Sequence, residues 1–303
     1  MSCVNIEDTL EQMGRRARRA SQALAALPAD AKRACLEKMA DALEANADTI
    51  KKINSDDVEK AKISGLSSAM VDRLTLTDAR IKDMANGLRT VAAQSDPVNR
   101  ILSSVTRPNG LEITKVSVPF GVIGIIYEAR PNVTADAAGI CLKAGNAVIL
   151  RGGSEAFRSN MLIAGILNKA ATGCGLPEGT VQLIPWTDRE AVKVMLKMDR
   201  YIDLVIPRGG ESLIRTVVAE ATMPVLKHYK GVCHLFVDSA CDLDMAIKII
   251  VNAKCQRPGV CNALETLLVD SQIAPVKMKR RKGARRLVGH RQSLTVATVK
   301  AIA

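Results

Sequence analysis

Aromatic side chains are scarce in this 303-residue sequence, which holds three Phe, three Tyr and one Trp, Trp186. A core with so few rings is aliphatic, drawn from Ala, Val, Ile, Leu and Met. The same scarcity argues against an RNA-binding sheet that stacks bases on aromatic rings. Long hydrophobic runs are missing as well. The longest, Val118 to Tyr127, contains a Pro and two Gly, and a membrane span needs roughly 18 apolar residues. No membrane association is expected. The first residues carry acids early and have no apolar h-region, so a secretory signal is not expected either. Cysteine is present but dispersed, at Cys3, Cys35, Cys141, Cys174, Cys233, Cys241, Cys255 and Cys261. A chain this long does not need disulfide staples, so the expectation is a cytoplasmic protein with reduced thiols. In that setting a Cys is more often buried filler than a catalyst.

Acidic residues are absent from Ser271 to Ala303, which carry nine of the 43 Lys and Arg residues. The formal net charge of +12 therefore leaves only +3 on residues 1–270. A basic surface spread over the whole protein, as a polyanion partner would require, is not what the sequence encodes.

What is present is well organised. Leu36, Met39, Ala40 and Leu43 share one helical face between Asp30 and Asn46. Thr77 is placed to cap a helix presenting Ile81, Met84, Leu88 and Val91. After Asp96-Pro97, the stretch 101–118 reads as a β-hairpin turning at Pro108-Asn109-Gly110, because Asn-Gly tolerates the positive φ of a tight turn. The apolar runs Val122–Tyr127, Ala147–Leu150, Val181–Ile184 and Ile202–Ile206 alternate with helix-like segments. Such runs imply parallel strands buried on both faces by crossover helices. The fold class is α/β, doubly wound, with ligands beyond the carboxyl ends of the strands.

Two strand-to-helix junctions look alike: Arg151-Gly152-Gly153-Ser154 and Arg208-Gly209-Gly210. Paired glycines permit close backbone approach, and free N–H groups at a helix start favour phosphate oxygens. The adjoining Arg residues could bind phosphate directly. Tight turns alone would also explain the glycines, and neither junction is the usual G-x-G-x-x-G fingerprint. Further on, Pro258-Gly259 breaks the chain just before Cys261. A thiol at such a break is acidified if helix dipoles or Arg257 lie near it, and a buried structural Cys is the alternative.

The segments VPFGVIGIIYEARPNVTADAAGICLKAGNAVILRGGSEAFRSN, IPRGGESLIR and NAKCQRPGVCNALETLLVD resemble the gamma-glutamyl phosphate reductase family of the aldehyde dehydrogenase superfamily. The resemblance runs from about Ile6 to Asp270. It implies NADP(H)-dependent conversion of L-glutamyl 5-phosphate to L-glutamate 5-semialdehyde in proline biosynthesis, in a homo-oligomer. It further implies that Cys261 is the nucleophile, forming a thioester as phosphate leaves, and gives no reason to make Cys255 reactive. Asn132 and the Cys261 N–H become oxyanion donors, with a turn role for Asn132 as the alternative. Arg151 stands where the superfamily usually has a Lys contacting the cofactor ribose, and an Arg could also favour a 2′-phosphate. Gly152, Gly153, Ser154, Gly209 and Gly210 complete the expected cofactor contacts. Hydrolytic relatives carry a water-activating Glu, whereas no acid occurs from Met223 to Phe236. His228, Cys233, His234 and Cys241 match no common zinc spacing, so no metal is expected.

The expected organisation is an aldehyde-dehydrogenase-like NADP-binding domain over residues 1–233, the start of an incomplete catalytic α/β domain over 234–270, and a divergent basic tail over 271–303. The tail reads as an aberrant terminus, with open strand edges, exposed apolar surface and little or no activity expected. The competing readings are a non-catalytic NADP-binding remnant and a basic-tailed nucleic-acid binder, a partner the charge partition does not favour.

Overall fold

The computed structural model describes residues 5–128, 130–227, 231–256, 262–270, 272–273 and 295–299. The chain divides into two compact units, Met1–Lys227 and His228–Ala303.

The first unit opens with five helices: α1 (Ile6–Ala25), α2 (Ala29–Ala45), α3 (Ala47–Ile63), α4 (Ser68–Leu74) and α5 (Asp78–Ala93). Asn5 caps α1 by accepting the Glu7 N–H, and Glu7 and Asp8 place negative charge in its first turn. The Thr77 hydroxyl accepts the Arg80 N–H and starts α5, whose buried face is Ile81, Met84, Ala85, Leu88 and Ala92. In α2 the buried face is Cys35, Leu36, Met39, Ala40 and Leu43, as the periodicity predicts. A hairpin follows, β1 (Ile101–Thr106) with β2 (Glu112–Val116), and Gly110 takes φ +85° in its turn. Every residue of both strands is exposed.

The parallel sheet comes next: β3 (Val122–Tyr127), β4 (Ala147–Arg151), β5 (Val181–Leu183) and β6 (Leu204–Arg208), in the order β5-β4-β3-β6. All six residues of β3 are buried. Successive side chains point to opposite faces, so both faces of this strand are covered. The crossovers are α6 (Asn132–Lys143), α7 (Phe157–Gly173) and α8 (Arg189–Met195), and α9 (Glu211–Glu220) follows β6. This is the doubly wound arrangement expected from the apolar runs.

At the amino end of the sheet, Arg18 of α1 makes a two-pronged bond to Asp203, with Nη1 to Oδ2 at 2.8 Å and Nη2 to Oδ1 at 3.0 Å. Asp203 Oδ2 also accepts the Val122 N–H at 2.7 Å. The carboxylate thus pins α1 and the start of β3 together.

A second ion pair is buried more deeply. Lys32 of α2 is 1% exposed, and its Nζ lies 2.5 Å from Asp96 Oδ2. Burial works against the Asp96 carboxylate, but the Lys32 ammonium, the Val98 N–H and the Lys143 charge outweigh it and hold its pKa below the ordinary value. A depressed native pKa stabilises in full above the unfolded value of about 3.9 and is lost as pH falls through the native value. In urea titrations, wild-type stability is therefore expected to fall more steeply than that of Asp96→Asn as pH drops below about 4. At pH 7 the variant is expected to be weaker by about 3 kcal/mol, because it leaves the Lys32 charge buried without its partner. Equal pH profiles for the two proteins would contradict this linkage.

The second unit contains β7 (Cys233–Val237), α10 (Leu243–Cys255), β8 (Leu264–Asp270) and β9 (Thr295–Val299), forming a parallel sheet in the order β7-β8-β9. Asp242 caps α10 by accepting the N–H groups of Asp244 and Met245. Two expectations meet different outcomes here. Leu243, Met245, Ile247, Ile249 and Val251 of α10 are about half exposed, the apolar surface anticipated. The open edges anticipated for the strands do not extend to β8, which pairs with β7 on one side and β9 on the other. β9 lies within the basic segment, where a β-branched Thr-Val-Ala-Thr-Val run supplies strand propensity among the charges.

Candidate dinucleotide site at the strand ends

Strand register gathers the junction residues predicted from sequence. Ile126 of β3 stands beside Arg151 of β4, and Tyr127 stands beside Arg208 of β6. The glycine turns that follow Arg151 and Arg208 therefore flank the carboxyl end of β3, where an open parallel sheet offers a crevice. A cavity of about 410 Å³ lies alongside, lined among others by Asp57, Lys60, Ser154, Glu155, Arg158 and Thr187.

Arg151 ends β4 and donates from Nη2 to the Thr187 carbonyl at 2.6 Å. Its Nε is buried and has no hydrogen-bond partner among the described residues. Burial pushes the guanidinium below its ordinary pKa, with the Glu155 carboxylate opposing. An Arg with an unspent buried donor at a strand end is equipped to take an anionic oxygen.

Gly152 has no room for a side chain, because a Cβ there would sit 2.2 Å from Asn160 Nδ2. Gly153 leads in extended conformation into a 3-10 turn, Ser154–Ala156, ahead of α7. The start of α7 is already served by a carboxylate. Asp57 of α3 accepts both the Ser159 N–H (2.8 Å) and the Ser159 hydroxyl (2.7 Å). At the other junction the Gly210 N–H donates to Glu128 Oε2 at 3.0 Å. A Cβ on Gly209 would lie 2.6 Å from the Glu128 carboxyl carbon. At the second junction an N–H read from sequence as a phosphate donor, that of Gly210, thus holds a carboxylate of the protein itself, whereas at the first the carboxylate is held by Ser159, beyond the residues read from sequence.

Asn132 opens α6, half-buried, with its Nδ2 donating to Asp136 Oδ2 at 3.1 Å. Two residues on, Thr134 belongs to a buried polar chain. The Tyr127 hydroxyl and Thr134 Oγ1 are 2.6 Å apart, and Thr134 Oγ1 donates to Asn160 Oδ1 at 3.1 Å. Cys261 and Arg257 lie outside the described residues, as does His228. Among the described cysteines, Cys141 and Cys35 are unsuited to nucleophilic chemistry. Burial pushes the Cys141 thiol up to about 12. Burial, reinforced by the neighbouring Cys174, also raises Cys35. Among the described residues no group of three His, Cys, Asp or Glu side chains could hold a metal ion, and no helix is long and apolar enough to cross a membrane.

Sequence reasoning missed Glu128, Asp57 and Asn160. Glu128 was visible in the Tyr-Glu-Ala-Arg-Pro-Asn segment without any signal of its partner. Asp57 contacts Ser159 across 102 positions, a separation no local pattern reports.

Comparison with known proteins bears on the same region. The model of the aldehyde dehydrogenase family matches residues 5–293, reaching past Asp270 into the basic segment. A gamma-glutamyl phosphate reductase of Moorella thermoacetica is 55% identical over 271 residues, 89% of this chain and 65% of its own length. The crystal structure of the Thermotoga maritima gamma-glutamyl phosphate reductase superposes with a TM-score of 0.80 at 43% identity, covering 87% of this chain and 64% of that one. The corresponding Saccharomyces cerevisiae structure gives 0.67 at 35% identity, covering 87% and 66%. The chain thus spans about 65% of the length of the curated relatives it matches.

Proposed function

The chain belongs to the aldehyde dehydrogenase family, and from that premise we propose that it serves NADPH-dependent reduction of L-glutamyl 5-phosphate to L-glutamate 5-semialdehyde in the cytoplasm. The observation carrying this reading is the convergence of Arg151, Gly152, Gly153, Ser154, Gly209 and Gly210 at one end of the sheet. It is supported by relatives of that name at 50–55% identity.

The residues present fit a nicotinamide dinucleotide. Arg151 Nε, at the end of β4, is a buried donor without an acceptor among the described residues. Arg151 is proposed to take a ribose or phosphate oxygen, its fixed fork of donors favouring the 2′-phosphate of NADP(H). When bound, the dinucleotide supplies the hydride that reduces the acyl group.

The chain's own groups handle the acyl transfer. The Cys261 thiolate attacks the acyl carbon, a C–S bond forms, and the C–O bond to phosphate breaks with its electron pair leaving on phosphate. Asn132 and the Cys261 N–H are proposed to stabilise the oxyanion of that step. The stretch from Met223 to Phe236 has no carboxylate to activate water, so the thioester persists long enough to be reduced. Reduction and collapse then free the aldehyde and return the thiolate.

Rapid-quench measurement of phosphate release tests the reading. Against the low activity expected from the basic tail, which the family match partly covers, glutamyl phosphate mixed with the chain is expected to give one phosphate per protein without NADPH, the mark of a thioester that waits for hydride. Release that continues without NADPH would indicate hydrolysis and overturn it. Arg151→Gln is expected to weaken NADPH binding about tenfold, the worth of one charge-assisted contact, and NADH binding much less. Fluorescence titration with both dinucleotides reads the difference, and equal losses would contradict the 2′-phosphate role.

A further inference from the structure

Asn160 is fully buried in the first turn of α7, and its carboxamide is only half satisfied. Its Oδ1 accepts from Thr134 at 3.1 Å, while its Nδ2 is buried without any partner among the described residues. An orphaned buried donor costs about 1–3 kcal/mol and calls for a reason. Its position supplies one. Nδ2 is directed at Gly152, where a Cβ would fall 2.2 Å from it, 3.1 Å from Asn160 Cγ and 3.2 Å from Tyr127 Cζ. The absence of a side chain at Gly152 makes room for this amide.

The other end of the amide is fixed. Thr134 is fully buried, and its hydroxyl also meets Tyr127 at the end of β3. The preceding residue, Ser159, is held by Asp57 and Asn54 of α3. Asn160 is therefore anchored through neighbours on β3, α3 and α6, with its N–H groups, unpartnered among the described residues, facing the turn that follows Arg151.

We infer that Asn160 is a positioning residue for the Arg151–Ser154 turn, its carboxamide packed against Gly152 and holding the turn in the shape on which a dinucleotide seats. This rests on the cofactor reading above and adds a residue to it. The chain Tyr127–Thr134–Asn160 fixes the amide, and the amide fixes the turn. Asn160 does not touch the ligand.

Hydrogen–deuterium exchange of peptides spanning 151–154, read beside NADPH titration, tests the inference on the full 303-residue chain. Asn160→Ala is expected to speed exchange in that segment and raise the NADPH Kd, each at least about tenfold. Asn146→Ala is the matched control. It too removes a buried Asn, one that accepts the Gly121 N–H at the opposite end of the sheet. The control is expected to lower the thermal midpoint while leaving both readouts at wild-type values. Wild-type readouts in Asn160→Ala, or equal changes in the two variants, would overturn the positioning role. If wild-type protein binds no NADPH, the cofactor reading fails, and the exchange comparison still decides whether Asn160 orders the turn. Should Asn160→Ala not fold, the near-isosteric Thr134→Val frees the amide to rotate and is expected to speed exchange at 151–154 as well. Unchanged exchange there would count against the inference.

Discussion

Gly121→Ala is expected to lower the stability of the first unit by about 3 kcal/mol, summing backbone strain of about 1–2 and overpacking of about 1–2. Gly121 sits at φ +120°, a region L-residues rarely adopt. An added Cβ would also stand 2.3 Å from Asp203 Oδ2 and 3.1 Å from Arg18 Nη1. Neither group can yield freely. Asp203 holds the Val122 N–H as well as Arg18, so moving it loosens α1 and the first residue of β3 together. Urea unfolding at neutral pH reads the change as a lower midpoint with unchanged slope. The double variant Gly121→Ala/Asp203→Ala is expected to be less damaged than the sum of the two singles, since the clash disappears with the carboxylate. Strict additivity would mean that strain at the backbone, and not the Asp203 contact, dominates.

Cys261→Ala is expected to reduce phosphate release from glutamyl phosphate by at least about a thousandfold, the scale seen when a covalent nucleophile is removed. The contrast among cysteines sharpens the test. Cys141 is held near 12 by burial and Cys35 is raised by burial and by Cys174, so neither is a thiolate at neutral pH. Cys255 is exposed, and its alkylation is expected to leave phosphate release intact. Mass spectrometry after denaturing quench should place the acyl adduct on the peptide bearing Cys261. An adduct on Cys255, or full phosphate release by Cys261→Ala, would remove Cys261 from its role.

The sheet was legible in the sequence because its strands are continuous apolar runs. Val122–Tyr127 and Ala147–Leu150 are buried throughout. The hairpin was legible through Pro108-Asn109-Gly110, where Gly110 takes the positive φ the motif implies. Thr77 was legible as a cap because capping is local: the donor is three residues away. The arrangement around the glycine turns was less so. Paired glycines after a strand signal close approach without saying what approaches. At Gly152 it is the Asn160 amide, and at Gly209 it is the Glu128 carboxylate. Asp57 on Ser159 and Glu128 on Gly210 are contacts between residues far apart in sequence, set by helix packing that no periodicity encodes. Strand β9 was obscured by composition. The basic residues of the segment from Ser271 onward mask a β-branched run that pairs with β8.

The central claim is that the carboxyl ends of β3, β4 and β6 form a nicotinamide dinucleotide site, and equilibrium titration of the 303-residue chain with NADPH tests it most directly. Saturable one-to-one binding is expected, at least about tenfold tighter than that of NADH. Gly152→Ala should weaken it by driving a Cβ into Asn160. No saturable binding of either dinucleotide by the folded chain, or binding indifferent to Gly152→Ala and Arg151→Gln, would contradict the account.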